Sequence, residues 1–146
     1  MDDIDEKILE ILEKNSRTSY KEIARHAKIS DVAVHKRTKK LEDSVIRAFT
    51  VLVNQKAYGR NTTAIANVRC ETGMTSKIAE ALAEIEDVTE VYTTVGNYDI
   101  AAKIRTADTE ALKEIVETKI MAIRGINEIR TSIVFDCVKE KVNLVF

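Results

Sequence analysis

The chain has no proline and no tryptophan, only four glycines and two cysteines, and aromatic residues make up 5% of it. Without proline, its turns and linkers must be built from Gly, Asn, Asp, Ser and charge. Cys70 and Cys137 have no Cys-x-x-Cys spacing, so the common zinc and redox motifs are excluded. GxSxG, P-loop and dinucleotide fingerprints are missing, and no nucleophile stands beside a base, which argues against an enzyme. No apolar run approaches the ~18 residues that cross a bilayer. The opening MDDIDEK is acidic, with neither a basic nor an apolar signal region, so the expected compartment is the cytoplasm. A large excess of one charge is also lacking, with 23 Lys and Arg against 24 Asp and Glu. A chain bound to polyanions over its whole surface would be more basic.

What is present suits a packed fold. Hydrophobic residues are 45% and charged residues 32% of 146 positions, room for one domain or two small ones. The neutral total hides an asymmetry. Residues 1–56 hold 12 basic against 10 acidic residues, net +2, and residues 57–146 hold 11 against 14, net −3. The window 17–40 is sharper, with eight basic residues against Glu22 and Asp31, net +6. Such a run is either a solvated helix face or a local footprint for a polyanion.

The pattern beneath the charge is helical. Ile4, Ile8, Ile11 and Leu12 recur at helical spacing behind Asp2, Asp3 and Asp5, which favour the positive end of a helix dipole. That helix should end near Asn15–Ser16. Ser19 can cap a second helix, Tyr20 to about Ala27, with Glu22 as its capping-box partner. After a short Lys28-Ile29 turn, Ser30 can cap a third helix, Asp31 to about Glu42, with Val34, Thr38 and Leu41 inward. Two helices joined by a short turn, the second rich in Lys and Arg, form the helix-turn-helix pattern. The outward positions of the third helix are Asp31, Val32, Ala33, His35, Lys36, Lys39 and Lys40. Small residues near its start would let the backbone approach base edges. The lysines can reach phosphates, and a helix N-terminus can hold one too. His26 and His35 both lie in this unit without a metal-ligand partner at i+4, so no metal site is expected.

The second half alternates differently. Ile46–Val53 is strand-like, and Asn54–Asn61 is a polar linker containing Gly59. Strands are expected at Thr62–Cys70, Val88–Val95, Tyr98–Arg105 and Ile126 to about Val138. Helices are expected after Gly73 and over Asp108 to about Met121. Gly96-Asn97 reads as a tight hairpin turn with positive φ. Strand, helix, hairpin, helix, strand is the ferredoxin-like βαββαβ unit, so the fold class is α+β. Helices would cover one sheet face. The other would need cover because Ile129, Ile133 and Phe135 oppose Ser132 and Val134, and 46–53 would be an unpaired edge. A second copy of the chain meets both needs, which predicts an isologous homodimer. Cys70 and Cys137 would end antiparallel strands at opposite ends of the sheet. A strand of about ten residues spans roughly 33 Å, so the two read as reduced, small hydrophobes rather than a disulfide.

The stretch from Ile4 to Ile46 resembles the N-terminal domain of the Lrp/AsnC transcription regulators, also called feast/famine regulatory proteins. The matching residues are Ile4-Asp5, Arg17-Thr18-Ser19, Ile29-Ser30 and Arg37-x-x-x-Leu41-Glu42. The resemblance continues through Val95-Gly96-Asn97-Tyr98-Asp99 and Ile129-Arg130-Thr131. Three departures stand out. The glycine usual after the recognition helix is missing at Leu41-Glu42-Asp43-Ser44-Val45-Ile46, Thr38 replaces an Ile or Val, and Ile123-Arg124-Gly125-Ile126 replaces an Ile-Pro-Gly-Val.

The resemblance implies a helix-turn-helix DNA-binding domain at 1–45 and a linker strand and hinge at 46–60. It implies a ferredoxin-like, RAM/ACT-like ligand-sensing and oligomerisation domain at 61–138, and a tail at 139–146. It implies a regulator that binds a pseudo-palindromic operator in double-stranded DNA, is modulated by a free amino acid, and forms dimers that assemble up to octamers. The candidate DNA-facing set is Arg17, Ser19, Tyr20, Ser30, Asp31, Val32, Ala33, His35, Lys36, Arg37, Lys39 and Lys40. Of these, Arg17, Lys36, Arg37, Lys39 and Lys40 are expected mainly on phosphates. The candidate effector set is Gly96, Asn97, Tyr98, Asp99, Ile100, Thr131 and Ile133, with Asp99 for the ligand ammonium and the glycine turn for its carboxylate. No cofactor and no membrane are expected. An architectural DNA-binding protein without an effector is the alternative.

Overall fold

The computed structural model describes residues 1–141. It separates into two compact units, residues 1–52 and residues 53–140. The expected tail, 139–146, lies mostly outside the described residues. Among the described residues no helix is long and apolar enough to cross a membrane.

The first unit is three helices: α1 (Asp3–Lys14), α2 (Tyr20–Ala27) and α3 (Asp31–Glu42). Local chemistry sets their ends. Asp2 caps α1, and the reciprocal capping box closes there, between the Asp2 and Asp5 side chains and each other's N–H. At α2 only half of the expected box forms, Ser19 accepting from the Glu22 N–H at 3.3 Å. Lys28 ends α2 in the left-handed region at φ 56°, and the Ser30 hydroxyl accepts from the Ala33 N–H at 3.1 Å to start α3. Ile8, Leu12, Ile23, Ala24, Val34 and Leu41 form the core, with Thr38 buried beside them. The missing glycine is compensated at the α3 C-terminus. The Leu41 carbonyl accepts from the N–H groups of Ser44, Val45 and Ile46 at 3.2, 2.7 and 2.7 Å, so no left-handed residue is needed.

Segment 46–53 is not a strand in this chain. Ile46 packs on the three-helix core, but Phe49, Val51, Leu52 and Val53 are exposed and, among the described residues, have no strand beside them. Apolar alternation alone does not make a strand without a ladder partner.

The second unit is a four-stranded antiparallel sheet in the order β2-β3-β1-β4. Its elements are β1 (Thr62–Cys70), α4 (Thr75–Ala83), β2 (Val88–Thr93), β3 (Ile100–Thr106), α5 (Thr109–Glu114) and β4 (Ile126–Ile133). Alternate residues of β1 and β3, among them Ala64, Ala66, Val68, Ile100, Ala102 and Ile104, pack under Ile78, Leu82, Leu112, Ile115 and Ile120 of the helices. The helix expected over 108–121 is split, because α5 continues as a π-helical segment, Ile115–Ile120. Glycine is required at Gly125, where φ is 96° and an added Cβ would come within 3.2 Å of Met74 Cε.

Several expected boundaries move. β4 ends at Ile133 rather than near Val138, because its partner β1 runs out: Ala64 pairs with Ile133, and the Val134 N–H reaches Thr63 O at 2.8 Å. Cys137 therefore lies beyond the sheet and is exposed, not a buried hydrophobe, whereas Cys70 is buried; both are free thiols. β1 and β4 pair antiparallel, Ile129 opposite Val68 and Ile133 opposite Ala64. Ile129 and Ile133 thus share the face of the buried β1 residues, where Ile129 packs on the core but Ile133 is 55% exposed, and Phe135, also exposed, lies outside the sheet. The open face instead carries charge. Lys103 pairs with Glu90 and Glu140 at 3.2 and 2.7 Å, and Arg105 pairs with Glu140 at 2.6 Å. The bare apolar face expected from the sequence is absent from β4.

Candidate functional site

In the first unit, two serine caps and one left-handed lysine bring α2 and α3 into the helix-turn-helix arrangement. The Ile29 N–H returns to the Ala24 carbonyl at 3.1 Å and tightens the turn. Asp31, Val32, His35, Lys36, Lys39 and Lys40 are exposed on α3, and Ala33 is half-buried. Val32 is 74% exposed at the start of the helix. Among the described residues, the side chains of Arg17, Lys36, Lys39 and Lys40 have no ion pair or hydrogen bond, so these cations face solvent uncompensated. Tyr20 and His35 stack across the two helices, ring centroids 5.5 Å apart and planes 22° from parallel. This is a flat, polar-edged patch beside the lysines.

Arg37 behaves differently from its neighbours. Its Nη1 donates to Asp2 Oδ1 and Oδ2 at 2.9 and 2.8 Å and to Asp5 Oδ1 at 2.7 Å. Asp5 is only 8% exposed at the side chain. The Asp5 N–H and the Arg37 guanidinium hold the Asp2 carboxyl below its ordinary range. The Arg37 guanidinium does the same for Asp5 against the opposing effect of burial. Both carboxylates hold Arg37 more firmly protonated. The guanidinium that the sequence suggested for a phosphate is already occupied. Sequence reading missed Asp2 and Asp5 as its partners. Their placement at a helix start indicated only caps, and nothing in spacing links residue 2 to residue 37.

In the second unit the 94–99 loop is not a two-residue turn. Among the described residues Lys28 is the only non-glycine with positive φ, so Asn97 does not supply one. The loop is fastened to the end of β1. The Asp99 N–H donates to Val68 O at 2.9 Å, the Asp99 carboxylate accepts from the Cys70 N–H at 2.7 Å, and Arg69 donates to Asn97 O at 3.1 and 3.2 Å. Burial, then the Asp99 charge, pushes the Cys70 thiol up. Tyr98 sits between two guanidinium groups, Arg69 at 5.3 Å and Arg130 at 5.8 Å from its ring centre, and its hydroxyl donates to Glu128 at 3.2 Å. The backbone N–H groups of Gly96 and Asn97 have no partner among the described residues.

One chain does not bring the whole candidate effector set together. Ile100 pairs at the level of Val68, Thr131 at Ala66 and Ile133 at Ala64. At about 3.3 Å per residue, Thr131 and Ile133 lie roughly 7 and 13 Å along the sheet from the loop end. Two clefts of this unit are lined by residues that include Arg60 and Arg105, and neither includes Gly96–Ile100. Among the described residues no group of three His, Cys, Asp or Glu could hold a metal.

The AsnC-type helix-turn-helix domain profile matches residues 1–42, and the profile of the Lrp/AsnC ligand binding domain matches residues 63–144. The chain is 36% identical over 145 residues to the HTH-type transcriptional regulator FL11 of Pyrococcus furiosus, covering 99% of this chain and 95% of that one. The AsnC structure from E. coli superposes with a TM-score of 0.93 at 27% identity, covering 98% of this chain and 97% of that one. The regulator NMB0573 of Neisseria meningitidis, solved as a complex with L-Met, superposes at 0.92. At 21% identity, over 99% of this chain and 96% of that one, it indicates a shared fold.

Proposed function

The chain belongs to the Lrp/AsnC family of transcription regulators, and from that premise we propose that it binds operator DNA as a homodimer or larger assembly and responds to a free amino acid. The observation that carries this reading is the solvent-facing surface of α3, a serine-capped helix start followed by Lys36, Lys39 and Lys40 without counter-charges. Cations released from competition with carboxylates gain most by displacing counterions from phosphates. In this reading Arg17, Lys36, Lys39 and Lys40 hold phosphates, as do the helix starts at Ser19, Tyr20 and Ser30. Asp31, Val32, Ala33 and His35 approach base edges. A two-fold assembly places half-sites about one helical turn apart, ~10 bp or a multiple.

For the effector, support comes from the free N–H groups of Gly96 and Asn97, which suit a carboxylate, and from the L-Met bound by NMB0573. Because Ile133 lies roughly 13 Å along the sheet from the loop end within one chain, a site using all of these residues takes them from two subunits. The test is a gel shift against genomic fragments with and without each amino acid. The proposal expects a few strongly retained fragments and a change with at least one amino acid. Uniform retention of all fragments favours an architectural role, and no response to any amino acid removes the sensor.

A further inference from the structure

The α3 cations divide into two groups with different employment. On a helix of 3.6 residues per turn, Lys36 and Lys39 point about 160° and 140° from the buried Val34, while Arg37 points only about 60° from it. Arg37 therefore sits at the flank of the core, where it meets the start of α1. There its Nη1 joins two carboxylates at 2.7–2.9 Å. Those carboxylates are themselves tied together. The Asp2 side chain accepts from the N–H groups of Ile4 and Asp5, and Asp5 Oδ2 accepts from the Asp2 N–H at 3.2 Å. Two like charges share one helix start, and the cation that reconciles them comes from another helix. Among the described residues no other salt bridge joins α1 to α3.

We propose that Arg37 is a positioning residue: clamped by Asp2 and Asp5, it sets the rotation and tilt of α3 on α1, and so the aim of the lysine face at DNA, without contacting DNA itself. This inference rests on the reading of α3 as the DNA-contacting helix and goes beyond it, because it assigns function to two acidic residues at the other end of the unit. A partly exposed ion pair of this kind adds little stability of its own. Arg suits the task better than Lys, since its guanidinium is rigid, planar and always charged, and here one nitrogen, Nη1, meets both carboxylates.

The two possible roles of Arg37 make opposite predictions for Asp2 and Asp5. If Arg37 contacted a phosphate, the acids would be competitors, and Asp2→Asn and Asp5→Asn would free it and tighten binding. If Arg37 positions α3, the same substitutions loosen the clamp and weaken binding, although each also removes a negative charge. The experiment measures affinity of the full chain for a retained genomic duplex from 50 to 200 mM salt, with circular dichroism confirming that each variant is folded. Expected are a several-fold loss for Asp5→Asn and a larger loss for Arg37→Ala. Arg37→Lys should recover part of the loss, and the slope of log affinity against log salt should stay within error of wild type for all three. A merely stabilising pair would leave the affinity of folded protein unchanged, and that result overturns the proposal. Tighter binding by either Asp→Asn variant overturns it too, as does a slope shallower by about 0.9 per subunit for Arg37→Ala. A wild-type chain that ignores duplex DNA at 50 mM salt instead sinks the DNA-binding reading, and this inference falls with it.

Discussion

The salt dependence of DNA binding can be worked out from α3 before it is measured. Lys36 and Lys39 are exposed and uncompensated, so on the proposed reading replacing both by alanine removes two phosphate contacts per subunit with little effect on the fold. A dimer loses four. At about 0.9 per contact, log affinity against log salt should become shallower by about 3.6. Over a fourfold rise in salt, from 50 to 200 mM, wild type should lose roughly 150-fold more affinity than the variant loses. Fluorescence anisotropy on one labelled duplex at five salt concentrations reads this directly. Lys113→Ala with Lys119→Ala, exposed on the second unit, is the control and should leave the slope unchanged. The affinity loss should be similar for specific and random duplexes, because phosphates carry no sequence. An unchanged slope for Lys36→Ala with Lys39→Ala would refute the phosphate assignment, whatever happened to the affinity.

Three further outcomes concern the fold. The Thr38 hydroxyl is buried with no hydrogen-bond partner among the described residues, so Thr38→Val should raise the stability of the first unit by about 1–2 kcal/mol in denaturant melts. Gly125→Ala should destabilise the second unit by about 1–2 kcal/mol, because the residue sits at φ 96° with Met74 and Ile78 crowding the added methyl. Asp2 and Asp5 titrate below their unfolded range, so their contribution is complete above about pH 4 and lost as pH falls through the lowered values. Thermal melts of wild type should therefore fall off more steeply below about pH 4 than those of Asp2→Asn with Asp5→Asn.

How much could be read from the sequence depended on whether a feature was local. The bounds of α2 and α3 were legible because Ser19 and Ser30 act on backbone within three residues of themselves. β1 was legible from Ala64, Ala66, Val68 and Cys70 alternating inward. Features that depend on a distant partner were not. The apolar alternation of 46–53 resembled a strand, but a strand needs a neighbour and the described residues supply none. β4 stopped where β1 stopped, which no property of residues 134–138 announces. The candidate effector set looked contiguous as two motifs, yet pairing register separates Thr131 and Ile133 from the loop. Arg37 shared with Lys36 and Lys39 the signal of a cation on a cationic helix, although the helical period already left it off the outward face. Only its angle to Val34 and the remote Asp2 and Asp5 distinguish it.

The central claim is that two copies of α3, related by two-fold symmetry, read sequence in duplex DNA. Selection of bound duplexes from a random pool by the intact chain is the sharpest test. Expected is enrichment of a symmetric pattern whose halves repeat at about one helical turn or a multiple, lost when Val32 and His35 are both replaced by alanine. A selected pool as random as the starting one, or an unaltered pattern from that variant, would contradict it.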